Sequence, residues 1–158
     1  MYTLAIREFT DATDTVCQLI AQLTQQVPEL DSPQTQADIQ QRLNSAPCLI
    51  LIAYVEGEVA GFKLGYAKHD TEFYSWLGGV LPDFRQLGLA KSMLEYQEKW
   101  VAHKGYVTLS VKTRNQFNAM LNMLVSRQYQ ITAVEADQSN ISQHKLHLQK
   151  QLNLSATQ

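Results

Sequence analysis

Segment 76–92, WLGGVLPDFRQLGLAKS, is the stretch whose residue types and spacing can do chemistry. An apolar strand ends at Val80-Leu81, and Pro82 cannot donate to a sheet ladder, so pairing stops there. A short turn then enters a helix predicted over Arg85–Lys104, with Gly105 as its terminator. The amide hydrogens of the first turn, Arg85-Gln86-Leu87-Gly88-Leu89-Ala90, have no acceptors inside the helix. They also lie at the positive end of its dipole. Gly88 has no side chain and Ala90 only a methyl, so an anion such as a phosphate has room to reach the main chain. The same two small residues would equally serve close packing of helix on sheet. The spacing matches neither the three-glycine dinucleotide pattern nor the Gly-Lys-Ser/Thr phosphate loop.

Other reactive side chains yield less. His144 and His147 are an odd number of residues apart in a predicted strand, which puts them on opposite faces and rules them out as a metal pair. Cys17 and Cys48 are the only cysteines; each lies beside an apolar run and reads as a buried free thiol. Two thiols without paired spacing make neither a disulfide framework nor a zinc site, and this fits a reducing compartment.

The elements that must position segment 76–92 follow from hydrophobic period. Tyr2, Leu4 and Ile6 alternate as a strand with one buried face. Thr10, Asp11 and Asp14 offer a helix start, and Val16, Leu19, Ile20, Leu23 and Val27 continue at helical spacing until Pro28. Ser32-Pro33 marks a second helix start, carrying Ile39 and Leu43 and closed by Pro47. Leu49–Val55 and Val59–Ala67 read as strands joined by a tight turn at Glu56-Gly57-Glu58. Phe73–Leu81 follows as a third strand of a meander. After the helix come strand Val107–Val111, a helix over Asn115–Arg127, and two closing strands holding Tyr129, Ile131, Ala133 and His144, Leu146, Leu148. The expected fold is mixed α/β of the α+β type: a mostly antiparallel central sheet of about seven strands flanked by about four helices, with room for one parallel pair.

The chain has 158 residues, 45% apolar and 18% charged, with a formal net charge of -2. One domain over residues 2–150 with a polar tail over 151–158 accounts for this length. There is no basic excess for a nucleic-acid backbone. No apolar run approaches membrane-spanning length, and Met1–Phe9 lacks the basic start and apolar core of a signal peptide. We therefore expect a cytoplasmic protein with neither nucleic acid nor membrane as its partner.

Arg85-x-x-Gly88-x-Ala90 after an apolar strand resembles the Q/R-x-x-G-x-G/A signature of the GNAT N-acetyltransferase superfamily, and the element order over residues 2 to 150 is similar to that fold. The resemblance implies an acetyl-coenzyme A-dependent N-acetyltransferase acting on a primary amine of a small molecule or peptide, with no metal. The alternative is a catalytically silent acyl-coenzyme A sensor. It further implies that the amides of Gln86, Leu87, Gly88, Leu89, Ala90 and Lys91, beside Arg85, hold the cofactor's pyrophosphate. Val80 and Leu81 would pair with its pantetheine arm. Asn115, or else Asn118, would match a cofactor-contacting asparagine; helix capping is the other reading of both. Glu72, at the start of the strand leading to the loop, matches an acidic residue of the family and is the candidate general base, ahead of Asp70 and His69. Gly78-Gly79 would mark either a bulge freeing an amide to polarise the thioester carbonyl or a plain sheet bend. Tyr66, Phe73, Tyr74 and Trp76 are candidates to line an acceptor pocket or to fill the core. The chain departs from the family at the helix tyrosine that many relatives use as acid: Asn122, Met123 and Leu124 occupy the matching positions. Many relatives dimerise, so a homodimer is possible here.

Overall fold

A computed structural model of the chain describes residues 2–30 and 34–152. Its elements are β1 (Leu4–Phe9), α1 (Asp14–Thr24), α2 (Gln36–Leu43), β2 (Cys48–Val55), β3 (Glu58–His69), β4 (Glu72–Val80), α3 (Leu89–His103), β5 (Thr108–Arg114), α4 (Asn118–Ser126), β6 (Gln130–Glu135) and β7 (Lys145–Gln151), with one-turn 3-10 segments at Pro82–Phe84 and Ile141–Gln143. The strand order is β1-β2-β3-β4-β5-β7-β6. This is the mixed, mostly antiparallel sheet expected from the sequence, and β4–β5 is a parallel pair within it. The predicted helix start at Ser32-Pro33 and the polar tail beyond Leu152 lie outside the described residues.

The chain divides into two units, Met1–Ala67 with Trp76–Gln97, and Lys68–Ser75 with Glu98–Gln158. In the first, the continuous apolar run of β2 is buried at every position but Tyr54. It pairs antiparallel with β1 (Leu4↔Val55 to Phe9↔Ile50) and with β3 (Cys48↔Tyr66 to Val55↔Glu58). Glu56 and Gly57 join β2 to β3 with φ of +50° and +82°, the two left-handed residues that a tight hairpin demands. Ile20 and Leu23 of α1 and Ile39 and Leu43 of α2 close on Ile50, Ile52, Phe62 and Leu64. Each such fully buried side chain contributes about 1.5–3 kcal/mol. Thr13 caps α1, accepting from the Val16 amide at 3.3 Å, rather than Thr10, Asp11 or Asp14. Thr35 and Asp38 form a reciprocal capping box at the start of α2.

The second unit is built on Glu72–Ser75 of β4, which pairs parallel with Thr108–Val111. β5 pairs antiparallel with β7, and β7 with the edge strand β6, whose register slips at Thr132 between Ile131 and Ala133. Phe73 is fully buried, with edge-on rings of Tyr106 at 5.2 Å and Trp100 at 5.6 Å. α3 ends as predicted at Gly105, whose φ is +97°; Tyr106 and Gly105 donate to the Val101 and Ala102 carbonyls. α4 starts later than the sequence suggests. The amides of Asn115 and Gln116 donate to the carbonyls of His144 and Ser142, which holds both residues out of the helix, so Asn115 does not cap it.

Candidate functional site

The helix expected from Arg85 begins instead at Leu89. Pro82–Phe84 make one 3-10 turn, Arg85 is extended, and Gln86 and Gly88 take φ of +66° and +80°. Left-handed residues take loop amides out of the local ladder, and turns of this kind supply the backbone of anion-binding nests. The Ser92 amide donates to the Gly88 carbonyl at 3.0 Å, so Gly88 stands in the capping position of α3. The amides of Leu89, Ala90 and Lys91 therefore have no acceptor within the helix. Nothing lies within 4 Å of where a Gly88 side chain would begin. The corner thus combines two left-handed residues, a 15-residue helix behind it and open space at its glycine. The side chain of Leu89 is buried and that of Leu87 half-buried, while Gln86 and Lys91 are exposed. These residues fit a diphosphate held through main-chain groups.

Arg85 has another occupation. Its guanidinium pairs with Glu29 at 2.6 Å, and its Nε donates to the Val80 carbonyl at 3.2 Å. The Arg85 hydrogen bond holds the Glu29 carboxyl below the ordinary carboxylate range. Arg85 therefore ties the nest loop to the strand end and to the segment after α1. Glu29 is 56 positions away in sequence, and sequence reasoning missed it because no local pattern joins the two. At the strand end, the Leu81 amide donates to Ala60 at 2.8 Å and the Leu81 carbonyl accepts from Phe84 at 2.9 Å. The small residues here have packing reasons. A Cβ at Gly79 would stand 2.8 Å from Val27, and one at Gly61 would stand 2.9 Å from the Gly79 carbonyl.

In the second unit, Glu72 lies within a polar group. Its Oε2 accepts from Ser110 Oγ at 2.8 Å, and its Oε1 is 3.5 Å from His69 Nε2. The Thr71 amide donates to His69 Nδ1 at 3.3 Å, which leaves Nε2 carrying the ring proton toward Glu72. His69 and Glu72 thus lie against each other, and sequence reasoning weighed them only as rivals. Their three-residue spacing was the available signal; Ser110 became a partner only through the β4–β5 register. Asn115 Nδ2 donates to the Ile141 carbonyl at 3.2 Å, and Asn118 is the first residue of α4.

Tyr66 and Trp76 meet edge-on at 6.1 Å with the Arg42 guanidinium over the Trp76 ring. Tyr129 is core, as expected, and donates to Glu98 at 2.7 Å. Cys48 lines a cavity of about 290 Å3 with Thr10 and Asn44. Burial pushes its thiol up to about 11, so it is no nucleophile at neutral pH. His144 and His147 are each engaged separately, with the Asp137 amide and with Glu135.

The sheet order and the strand-loop-helix corner are those of the GNAT-like fold expected from the sequence. The sequence matches the model of the Acetyltransferase (GNAT) family over residues 14–147, and the chain belongs to that family. An acetyltransferase of Pectobacterium atrosepticum is 33% identical over 94 residues, which are 59% of this chain and 65% of that protein. The match therefore spans just under two thirds of the relative's length. Among solved structures, the ribosomal-protein-S18-alanine N-acetyltransferase of Escherichia coli superposes with a TM-score of 0.79 at 15% identity, over 95% of this chain and 94% of that one. A Salmonella typhimurium structure described as a putative acetyltransferase with its cofactor acetyl-CoA gives 0.71 at 15% identity, over 95% and 94%. Among the described residues no helix is long and apolar enough to cross a membrane.

Proposed function

We propose that this chain transfers the acetyl group of acetyl-coenzyme A to the primary amine of an acceptor. The observation that supports the reading is the loop we read as a nest, where Gln86 and Gly88 are left-handed just ahead of α3 amides that lack acceptors within the helix. The amides of Gln86, Leu87, Gly88, Leu89, Ala90 and Lys91 would hold the pyrophosphate. Arg85 would brace that loop, Val80 and Leu81 would flank the cofactor's arm, and Asn115 is a further candidate contact. Acetyl-coenzyme A supplies an acyl group activated as a thioester.

The chain's part in the chemistry is to provide a neutral amine. Glu72 takes the proton from the acceptor's ammonium form. Ser110 and His69 fix its carboxylate, and a positioned base of this kind is worth about 10²–10⁴-fold in rate. The test is thiol release from acetyl-coenzyme A across a broad amine panel, with calorimetry of coenzyme A binding alongside. Glu72→Gln is expected to lower kcat by about 10²-fold or more while binding persists.

One observation favours a second reading, a catalytically silent acyl-coenzyme A sensor: α4, NAMLNMLVS, has no tyrosine to serve as acid. Coenzyme A binding without turnover on any amine would select the sensor. No binding at all would defeat both readings.

A further inference from the structure

We infer that a polar cavity in the second unit selects the acceptor by binding an oxyanion, a carboxylate or a phosphate, carried on the same molecule as the amine. The inference rests on the acetyl-transfer reading above and names the class of substrate.

The cavity measures about 140 Å3 and is lined by Lys68, Glu72, Tyr74, Ser110, Lys112 and His147 among others. Drug-sized ligands occupy roughly 300–1,000 Å3, so this space suits a small zwitterion or the charged end of a longer molecule. The sheet register builds it. Tyr74 is paired with Ser110 across the parallel ladder, and Lys112 with His147 across the antiparallel one.

Its charges are arranged unevenly. Lys68 Nζ lies 4.7 Å and Lys112 Nζ 5.7 Å from the centre of the Tyr74 ring, and both lysines line the same cavity. Neither is in an ion pair among the described residues. The nearby carboxylates already have partners: Glu72 is held by Ser110 and His69, and Glu135, whose carboxyl feels Lys112, is paired with His147 at 2.6 Å. Two like charges in one concavity are relieved by an anion. Glu72, bonded to Ser110, lines the same cavity as Tyr74 and the two lysines. A cationic amine suits the Glu72 side and an oxyanion suits the lysine side, so a molecule carrying both matches the cavity at each end. The lysines act as specificity-determining residues and Glu72 as the base.

The experiment compares kcat/KM for matched acceptors: amino acids and aminoalkyl phosphates against their amides and decarboxylated or dephosphorylated amines. The oxyanion-bearing members are expected to be favoured about tenfold or more, a preference that shrinks as salt is raised. Whichever series, carboxylate or phosphate, gives the higher kcat/KM names the oxyanion. In the Lys68→Ala/Lys112→Ala double variant the ratio should collapse toward one, mainly through KM. The double Arg variant, which keeps the charge, should retain it. A ratio near one in the unaltered protein, or a preference that survives the alanines, overturns the inference. If no amine is acetylated at all, acetyl transfer itself has failed, and the cavity is judged by binding alone. Reductively methylated lysines are then followed by NMR with inorganic phosphate and with glycine as probes. Shifts confined to Lys68 and Lys112 support the anion site, and their absence at tens of millimolar ends it.

Discussion

Gly88 is where one residue's backbone decides most. Its φ of +80° is costly for an L-residue, while the space around it is open. A methyl there therefore meets no neighbour, and the penalty is conformational, about 1 kcal/mol. Gly88→Ala is expected to lower stability by that amount and to raise KM for acetyl-coenzyme A by about tenfold, since an L-residue relaxes away from this φ and re-aims the amides that follow. Calorimetry of coenzyme A binding checks it, and undiminished affinity would contradict the nest. Gln97 poses a different residue-scale question. Its side chain is fully buried on α3, and both amide atoms lack a partner among the described residues. An unsatisfied buried polar group costs about 1–3 kcal/mol. Gln97→Met, similar in shape, should therefore raise stability by about 1–2 kcal/mol in urea unfolding. A loss of stability instead would reveal an internal water bonded to the amide. The sequence marked the loop at Gly88 and Ala90 as the candidate phosphate corner, and the structure shows that loop entering α3 at Leu89. The sequence did not show that Arg85 is taken by Glu29, because that pair depends on two distant segments meeting.

At the scale of elements, the strands were legible because a buried run such as Leu49–Val55, or an alternation such as Tyr2 to Ile6, has one dominant period. Helix beginnings were not. α3 was expected four residues early because the left-handed turn at Gln86 has no signature in a glutamine, and α4 three residues early because Asn115 and Gln116 give their amides to the loop before β7. The body of α3 and the ends of α4 and β7 are tied by one ionic group. The Glu98 carboxylate meets Arg127 at 2.6 Å, Tyr129 at 2.7 Å and Lys150 at 3.3 Å. Burial alone would push Glu98 up; Arg127, Tyr129 and Lys150 outweigh it, and the net direction is down from 4.5. Tyr129 is pushed up, first by its own burial and then by Glu98. A carboxyl whose folded value lies below its unfolded one contributes stability above about pH 4.5, and that stability is lost as pH falls through the folded value. Acid unfolding should therefore show a limb below about pH 4.5 that Glu98→Gln flattens. The same variant should cost about 3 kcal/mol at neutral pH, because it removes the charge that Arg127 and Lys150 meet in a buried setting. Parallel unfolding curves for the two proteins across the acid range would refute the assignment.

At the scale of the whole molecule, the sequence suggested one domain over residues 2–150, and the structure divides the chain into two units. The division does not follow the chain. It falls between Ala67 and Lys68 within β3, between Ser75 and Trp76 within β4, and between Gln97 and Glu98 within α3. Three continuous elements thus belong to both units, so neither can lose its ordered backbone without disturbing an element of the other. We therefore expect one cooperative transition, as small domains usually show. The two tryptophans allow a direct measurement, because Trp76 falls in the first unit and Trp100 in the second. Trp76→Phe leaves the fluorescence of the second unit alone, and Trp100→Phe that of the first. In each single-tryptophan protein, the fluorescence transition in urea should coincide with that protein's own loss of backbone circular dichroism. Comparing two probes within one protein removes the stability change the substitution itself causes. If fluorescence and circular dichroism separate in either protein, the units unfold apart, and the shared elements break at residues 67–68, 75–76 and 97–98 rather than coupling the two halves.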